Sequence, residues 1–399
     1  MRVLHCPEGI GGQPQQLARS ERALGLDSRA IMFLAHPFGY PTDEVMLPNG
    51  RSQLAVEAAR WRLLWRAVRH FDMIHFNFGK TVMPPAPASH PRHSVPVRVA
   101  YNLYCGLFHL RDLPLLKWLG KGIAMTYQGD DARQGDYCRE HFSITHARVV
   151  EPHYYTPETD ARKRADIARV ARHADCIYAL NPDLLHVLPG RAQFLPYASV
   201  DLCDWQVVPA QTDPRRPLIV LHAPSHRGVK GTRHVLEAIE RLRAEGVALE
   251  LMLIEKMSHS EARRAYERAD LLVDQLLAGW YGGLAVELMA LGKPVVCYLR
   301  EGDLGHLPPD MRADLPIIQA TPETVYAVLK EWTTTRRGDL ARLGRCSRAY
   351  VERWHDPLKI AARLKADYEC ALTNRSRTAS RIAGMVSSPT RASAPTRTG

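Results

Sequence analysis

Apolar residues along this chain fall into two patterns: short runs rich in Val, Ile and Leu bounded by Gly, Pro or Asp, and longer stretches in which they return at helical spacing. The first predicts buried strands and the second amphipathic helices. Strands are predicted at 3–6, 28–33, 72–77, 123–128, 176–180 and 194–197, with helices at 13–24, 52–71 and 160–173 and a short one opened by Pro182. Gly25 is the stop signal of the first helix. A polar, proline-interrupted stretch at 199–217 follows, and the alternation then restarts. It runs through a strand from 218, the loop PSHRGVKG, a helix at 232–245, the strand LELMLI, the helix HSEARRAYERA and a strand at 271–276. A glycine-containing loop leads to a short helix stopped by Gly292, Pro294 opens the next strand, and 308–320 with the helices after Thr321 completes the series. Such alternation makes parallel sheets covered on both faces. The expected architecture is α/β, two doubly wound domains facing a central cleft. Its expected parts are an N-terminal domain at 1–198, a linker at 199–217, a C-terminal domain at 218–355, a helix at 356–372 packing back on the first domain, and a disordered basic tail at 373–399. The tail is poor in aromatics and rich in Ser, Thr and Pro.

Composition narrows the setting more than the chemistry. A chain of 399 residues exceeds one comfortable core. No apolar run approaches the ~18 residues of a membrane span, and residues 1–6 enter a strand directly, so a cytoplasmic protein is expected. The net charge is +11, of which the tail arginines Arg375, Arg377, Arg381, Arg391 and Arg397 supply five. The rest suits an anionic partner without choosing among nucleotide diphosphate, acidic lipid and nucleic acid. Eight cysteines lack any C-x-x-C pair, which argues against a zinc site or a disulfide framework. Cys138, His141 and His146 fall close together in CREHFSITH, where local packing and a metal site are the two readings.

The stretch 270–300 carries the clearest chemistry. Gly282 and Gly283 open a helix at the carboxyl edge of a predicted parallel sheet, where backbone N–H groups and the helix dipole favour an anion. Glu287 lies one turn further in, on a helix otherwise apolar all round, so it needs either a ligand or a buried donor. A carboxylate there suits the two vicinal hydroxyls of a ribose. In HAPSHRGVKGT, Arg227 and Lys230 follow a strand directly, one able to fork onto phosphate oxygens and the other a point charge. A phosphorylated, ribose-bearing ligand, most economically a nucleotide sugar, is the expectation. Gly11 and Gly12 precede a helix in the first domain and would admit donor phosphates or acceptor; a tight turn explains them equally well. His222, at a strand end, and His75 read as structural.

These residues together resemble the family 4 retaining glycosyltransferases of GT-B fold. The similarity rests on Arg227, Lys230 and Gly231, on Ala269, Asp270 and Leu271, and on Glu287 with the turn from Ala290 through Gly292 to Pro294 and Val295. In the N-terminal half it rests on Gly11 and Gly12, on 72–75, on TYQGDDAR at 126–133, on 173–175 and on 195–201, so that it covers about 1–372. It implies a GT-B arrangement of two Rossmann-like domains and a hexose-type sugar moved from a nucleoside-diphosphate donor to a glycan, lipid-linked or small-molecule acceptor, in cell-surface polysaccharide or glycoconjugate synthesis. It implies Arg227, Lys230 and Glu287 as catalytic groups, and donor contacts from Gly231, Gly279, Trp280, Tyr281, Gly282, Gly283 and Leu284. Gly11, Gly12, Gln128 and Asp131 would lie on the acceptor side. No metal and no cofactor are implied, the nucleotide sugar being a substrate. Two positions depart from the family: its sugar-contacting glutamate is Gly279 here, and its histidine in the first domain is Gln128. A catalytically silent sugar-nucleotide binder is the alternative those departures raise. Another activity on the same scaffold, such as epimerisation, is a second, and a nucleic-acid-binding protein a third, although no nucleic-acid module is recognisable. The segment 103–122, which interleaves large apolar residues with Arg111, Lys117 and Lys121, reads either as a packed helix or as peripheral contact with an anionic inner membrane face.

Overall fold

The computed structural model describes residues 1–36, 39–47, 52–86, 95–208 and 216–386, with side chains as far as 375. The first sheet contains β1 (Arg2–Cys6), β2 (Asp27–Met32), β3 (Glu44–Val45), β4 (Met73–Asn77), β5 (Gly122–Tyr127), β6 (Cys176–Ala179) and β7 (Gln193–Phe194). Its helices are α1 (Gln13–Ala23), α2 (Gln53–His70), α3 (Val95–Phe108), α4 (Asp112–Trp118), α5 (Gly135–His141) and α6 (Pro157–His173). The second sheet contains β8 (Leu218–His222), β9 (Leu249–Leu253), β10 (Leu271–Val273), β11 (Val295–Cys297) and β12 (Ile317–Gln319). Around it lie α7 (Arg227–Lys230), α8 (Thr232–Ala244), α9 (His259–Arg268), α10 (Gly283–Ala290), α11 (Pro309–Ala313), α12 (Val325–Thr333) and α13 (Leu340–Trp354). A final helix, α14 (Pro357–Val386), returns to the first domain.

Every strand pairing is parallel. Strands covered on both faces read as continuous apolar runs, and β4, β5 and β10 are buried throughout. Helices on the outside bury one face, as α8 does with Val235, Ala238, Ile239 and Leu242. By contrast α10 is buried almost all round, because α13 covers it; at Gly344 of α13 a Cβ would stand 2.1 Å from the carbonyl oxygen of Gly292. The sheet orders are β3-β2-β1-β4-β5-β6-β7 and β12-β11-β10-β8-β9. Strand order therefore reverses between β1 and β4 in the first domain and between β8 and β10 in the second, and ligands of doubly wound sheets bind at such reversals.

Three details differ from the sequence reading. The segment 103–122 is two elements, since the chain turns at Leu110 (φ 58°) between α3 and α4, while Pro114 is accommodated in the first turn of α4. β3 is too short to leave a pattern. The last helix passes the expected end at 372 and runs to Val386, and residues 387–399 of the expected tail lie outside the described residues. Against the first domain, α14 packs Ile360, Leu364 and Tyr368 beside Val3 and Leu17, with the Tyr368 hydroxyl 2.5 Å from His75 Nδ1. Among the described residues no helix is long and apolar enough to cross a membrane.

Candidate functional site

The loops after β8 and β10 meet at the reversal point of the second sheet. After β8, His222 donates from Nδ1 to the Val273 carbonyl (2.8 Å) and receives the Thr232 hydroxyl at Nε2 (2.9 Å), so it ties β8 to β10 and α8. Burial lowers its pKa, which suits a neutral structural imidazole. His226 caps α7, accepting the Val229 N–H at 3.3 Å. Gly231 ends α7 and starts α8 at φ 72°, a conformation that favours glycine. The turn aims Lys230 inward. Its ammonium donates to Asp274 Oδ1 at 2.8 Å, and the Gly282 N–H donates to Asp274 Oδ2 at 2.7 Å. A Cβ at Gly282 would lie 3.3 Å from Lys230 Nζ. Lys230 and the start of α10 are thus brought together. Between them sits the buried carboxylate of Asp274, which that reading missed.

Arg227 does not join them. Its side chain is 56% exposed and forks onto Glu255, at 2.8 and 2.6 Å, on the loop after β9. Glu287 is buried on α10 and has found a protein donor: His259 Nε2 gives it a hydrogen bond at 2.8 Å. His259 in turn lies between the rings of Tyr40 (4.8 Å) and Trp205 (5.8 Å).

The loop between β10 and α10 presents backbone more than side chains. Trp280 and Tyr281 are fully buried in the second core. The Tyr281 hydroxyl binds Tyr350 at 2.9 Å and His355 at 2.8 Å, and the Gln275 amide donates to the Trp280 carbonyl. Neither side chain reaches a ligand without unpacking the core, because an apolar run this close to the sheet is drawn into it. Leu284 is partly buried against the same core. At Gly279 (φ 82°) a Cβ would stand 2.5 Å from a guanidinium nitrogen of Arg300, so the family's glutamate has neither backbone nor room there. Arg300 pairs with Asp303 at 2.6 Å, donates to the Ile144 carbonyl at 3.2 Å and covers the Phe142 ring at 3.6 Å, which joins this loop to the first domain. The His146 N–H donates to the Leu277 carbonyl at 3.2 Å in the same seam.

On the first-domain side, Gly11 (φ 64°) has open space around it, and Gly12 (φ 71°) caps α1 with the Tyr40 ring where a Cβ would be, at 2.9 Å. Gly12, Tyr40, Ser199, Trp205 and His259 line one cavity of about 550 Å³. Ser199 Oγ is buried without a partner and lies 3.9 Å from the Cβ position of Gly283. Gln128 has an unpartnered Nε2, while its carbonyl receives the Asn181 amide, and Asn181 Oδ1 receives the Tyr197 hydroxyl at 2.8 Å. Tyr197 also flanks Gly283. Polar atoms without partners at a domain boundary mark space for a bound polar molecule or water. Asp131, which reads as an acceptor-side or structural group, accepts the N–H groups of Gln128 (3.0 Å) and Gly129 (2.6 Å) and braces their turn. Burial raises its pKa to about 6. For Asp130, burial works upward but the His146 hydrogen bond and the Arg133 charge outweigh it, holding the carboxyl well below the usual range. Cys138 is packed in a small core, His141 Nδ1 faces the Tyr137 carbonyl at 3.0 Å, and His146 Nε2 faces Tyr155 at 2.9 Å. Among the described residues no group of His, Cys, Asp or Glu is arranged to hold a metal.

No protein-family model and no curated protein matches the chain. Its fold is similar to that of sucrose-phosphate synthase from Thermosynechococcus elongatus, with a TM-score of 0.59 and 15% identity over 94% of this chain and 100% of the other. HepE of Anabaena, in complex with UDP-glucose, gives 0.54 and 10% over 92% and 99%. The catalytic domain of starch synthase IV from Arabidopsis thaliana, bound to ADP and acarbose, gives 0.53 and 10% over 94% and 99%. The chain has the GT-B fold, with two Rossmann-like domains each built on a parallel sheet.

Proposed function

We propose that the chain is a retaining glycosyltransferase moving a hexose-type sugar from a nucleoside-diphosphate donor to a glycan or lipid-linked acceptor, in the cytoplasm, as part of polysaccharide or glycoconjugate synthesis. The observation that carries the reading is the meeting of the Lys230 ammonium with the Gly282 end of α10 at the reversal point of the second sheet. A diphosphate seated there would meet one cation and the amides of a helix start, groups that stabilise charge developing on a leaving phosphate by several kcal/mol when water is excluded. Lysine has three protons and gives one to Asp274, which leaves two for phosphate oxygens. Glu287 would exchange His259 for ribose hydroxyls. Neighbours of the same fold were solved with UDP-glucose and with ADP, which supports a nucleotide-sugar donor.

A second reading, a binder without turnover, draws on Arg300 against Gly279 and on Asp274 in the anion seat. One experiment separates them. Thermal-shift screening against nucleoside diphosphates and their sugars identifies the donor, since a ligand at ~100 times its dissociation constant adds about 2.7 kcal/mol. Release of nucleoside diphosphate from that donor then supports transfer. Binding without release supports the silent binder, and absence of any shift across the panel overturns both.

A further inference from the structure

We propose that the protein docks on an anionic phospholipid bilayer through the outer faces of α3 and α2, with a lipid phosphate seated in an arginine-lined recess beside the end of α3. The inference concerns the surface and is independent of the sugar-nucleotide reading.

Of the fourteen residues of α3 only Cys105 is buried. Val95, Val99, Leu103 and Leu107 follow one another at four-residue spacing, which puts them on one face, and all are exposed, Leu103 by 74%. The opposite side of α3 is held to α2 by the Tyr101 hydroxyl on Glu57 (2.7 Å) and by Trp61 Nε1 on the Tyr104 hydroxyl (3.0 Å). On α2, Leu54, Trp61 and Trp65 are exposed in their turn. Single exposed apolar side chains are ordinary, but a row of them along α3, with more on the adjoining α2, is surface of the kind that meets another apolar phase. Indole rings favour the boundary between lipid and water.

Charge decides which phase. Across α2 and α3 the only acid is Glu57, which pairs with Arg60, and Arg66 pairs with Glu44, which among the described residues leaves Arg62, Arg69 and Arg98 as the uncompensated cations of the two helices. Gly106, near the end of α3, borders a recess of about 200 Å³ that is also lined by Arg111, Arg169, Arg172 and His173. Among the described residues Arg111, Arg169 and Arg172 form no ion pair, and Asp166, the acid nearby, is held by His109 Nε2 at 2.8 Å. An apolar row next to unpaired guanidinium groups matches acyl chains next to phosphate. A second copy of the chain fits less well, since a symmetric contact would set this cationic face against itself. The neighbouring α4 buries Leu113 and Leu116, so the face lies earlier in the chain than the segment 103–122 indicated.

The test is cosedimentation with phosphatidylglycerol-rich vesicles and with phosphatidylcholine vesicles, beside light scattering of the protein alone. Wild type should pellet with the anionic vesicles and stay in solution with the neutral ones. The variant Leu103→Glu/Leu107→Glu should stay in solution with both. Arg169→Ala/Arg172→Ala should bind the anionic vesicles on the order of fivefold more weakly per arginine removed. Both variants change exposed side chains, and unchanged thermal midpoints identify them as folded. No pelleting of wild type, equal pelleting with both vesicle types, or wild-type binding by folded Leu103→Glu/Leu107→Glu would overturn the proposal. A wild-type dimer that this variant dissociates would overturn it in favour of a second copy.

Discussion

At position 230 a lysine ammonium faces a buried carboxylate, and this pair governs how the proposed anion seat responds to substitution. Removing the ammonium alone leaves Asp274 charged and uncompensated inside the protein, at a cost of about 3–5 kcal/mol. Lys230→Met is therefore expected to lower the urea midpoint markedly, whereas Lys230→Met/Asp274→Asn regains most of it. Both should lose affinity for nucleoside diphosphate, and wild-type affinity in the double variant would remove Lys230 from the site. The cationic loop was legible from its glycines and its position after a strand. Its pairings were not: Glu255 lies 28 residues from Arg227, and Asp274 lies 44 from Lys230, distances over which no periodicity operates. Glu287 shows the same limit. Its need for a partner follows from an apolar helix around it, but His259 as that partner is a fact of packing.

Among the elements, buried strands and glycine-stopped helices were the readable ones, because burial on both faces forces continuous apolar runs and a stop residue such as Gly25 leaves a local signature. The loop between β10 and α10 was legible through its glycines, while the burial of its aromatics was not. Trp280 and Tyr281 look available beside a glycine pair, yet the apolar driving force puts both in the core. Gly279 is set by geometry, since its φ of 82° strains any side chain and the adjoining guanidinium of Arg300 would have to move to admit one. Gly279→Ala is accordingly expected to destabilise by about 1–2 kcal/mol, measured by urea unfolding. An unchanged midpoint would show that the loop relaxes freely.

For the molecule as a whole, the polar break near 199–217 announced two domains, while the sheet orders, set by long-range pairing, came only from the structure. The chain crosses between domains twice, and His355 pins the crossings together: Nδ1 donates to the Tyr197 carbonyl (2.8 Å) and Nε2 accepts the Tyr281 hydroxyl (2.8 Å). Burial pushes its pKa down to about 4. Because the folded value lies below the unfolded one of ~6.5, the neutral ring contributes stability that is complete above pH ~6.5 and is lost as pH falls toward 4. The difference amounts to about 3 kcal/mol. His355→Gln should flatten that part of the stability profile, and an identical acid dependence in wild type and variant would assign it to other groups. With α14 returning to the sheet where the chain began, the C-terminal domain is joined to its neighbour by two adjacent crossings, and Arg300 and His146 hold the two together away from them. A cut in the chain at either crossing would therefore leave the two halves attached through the other.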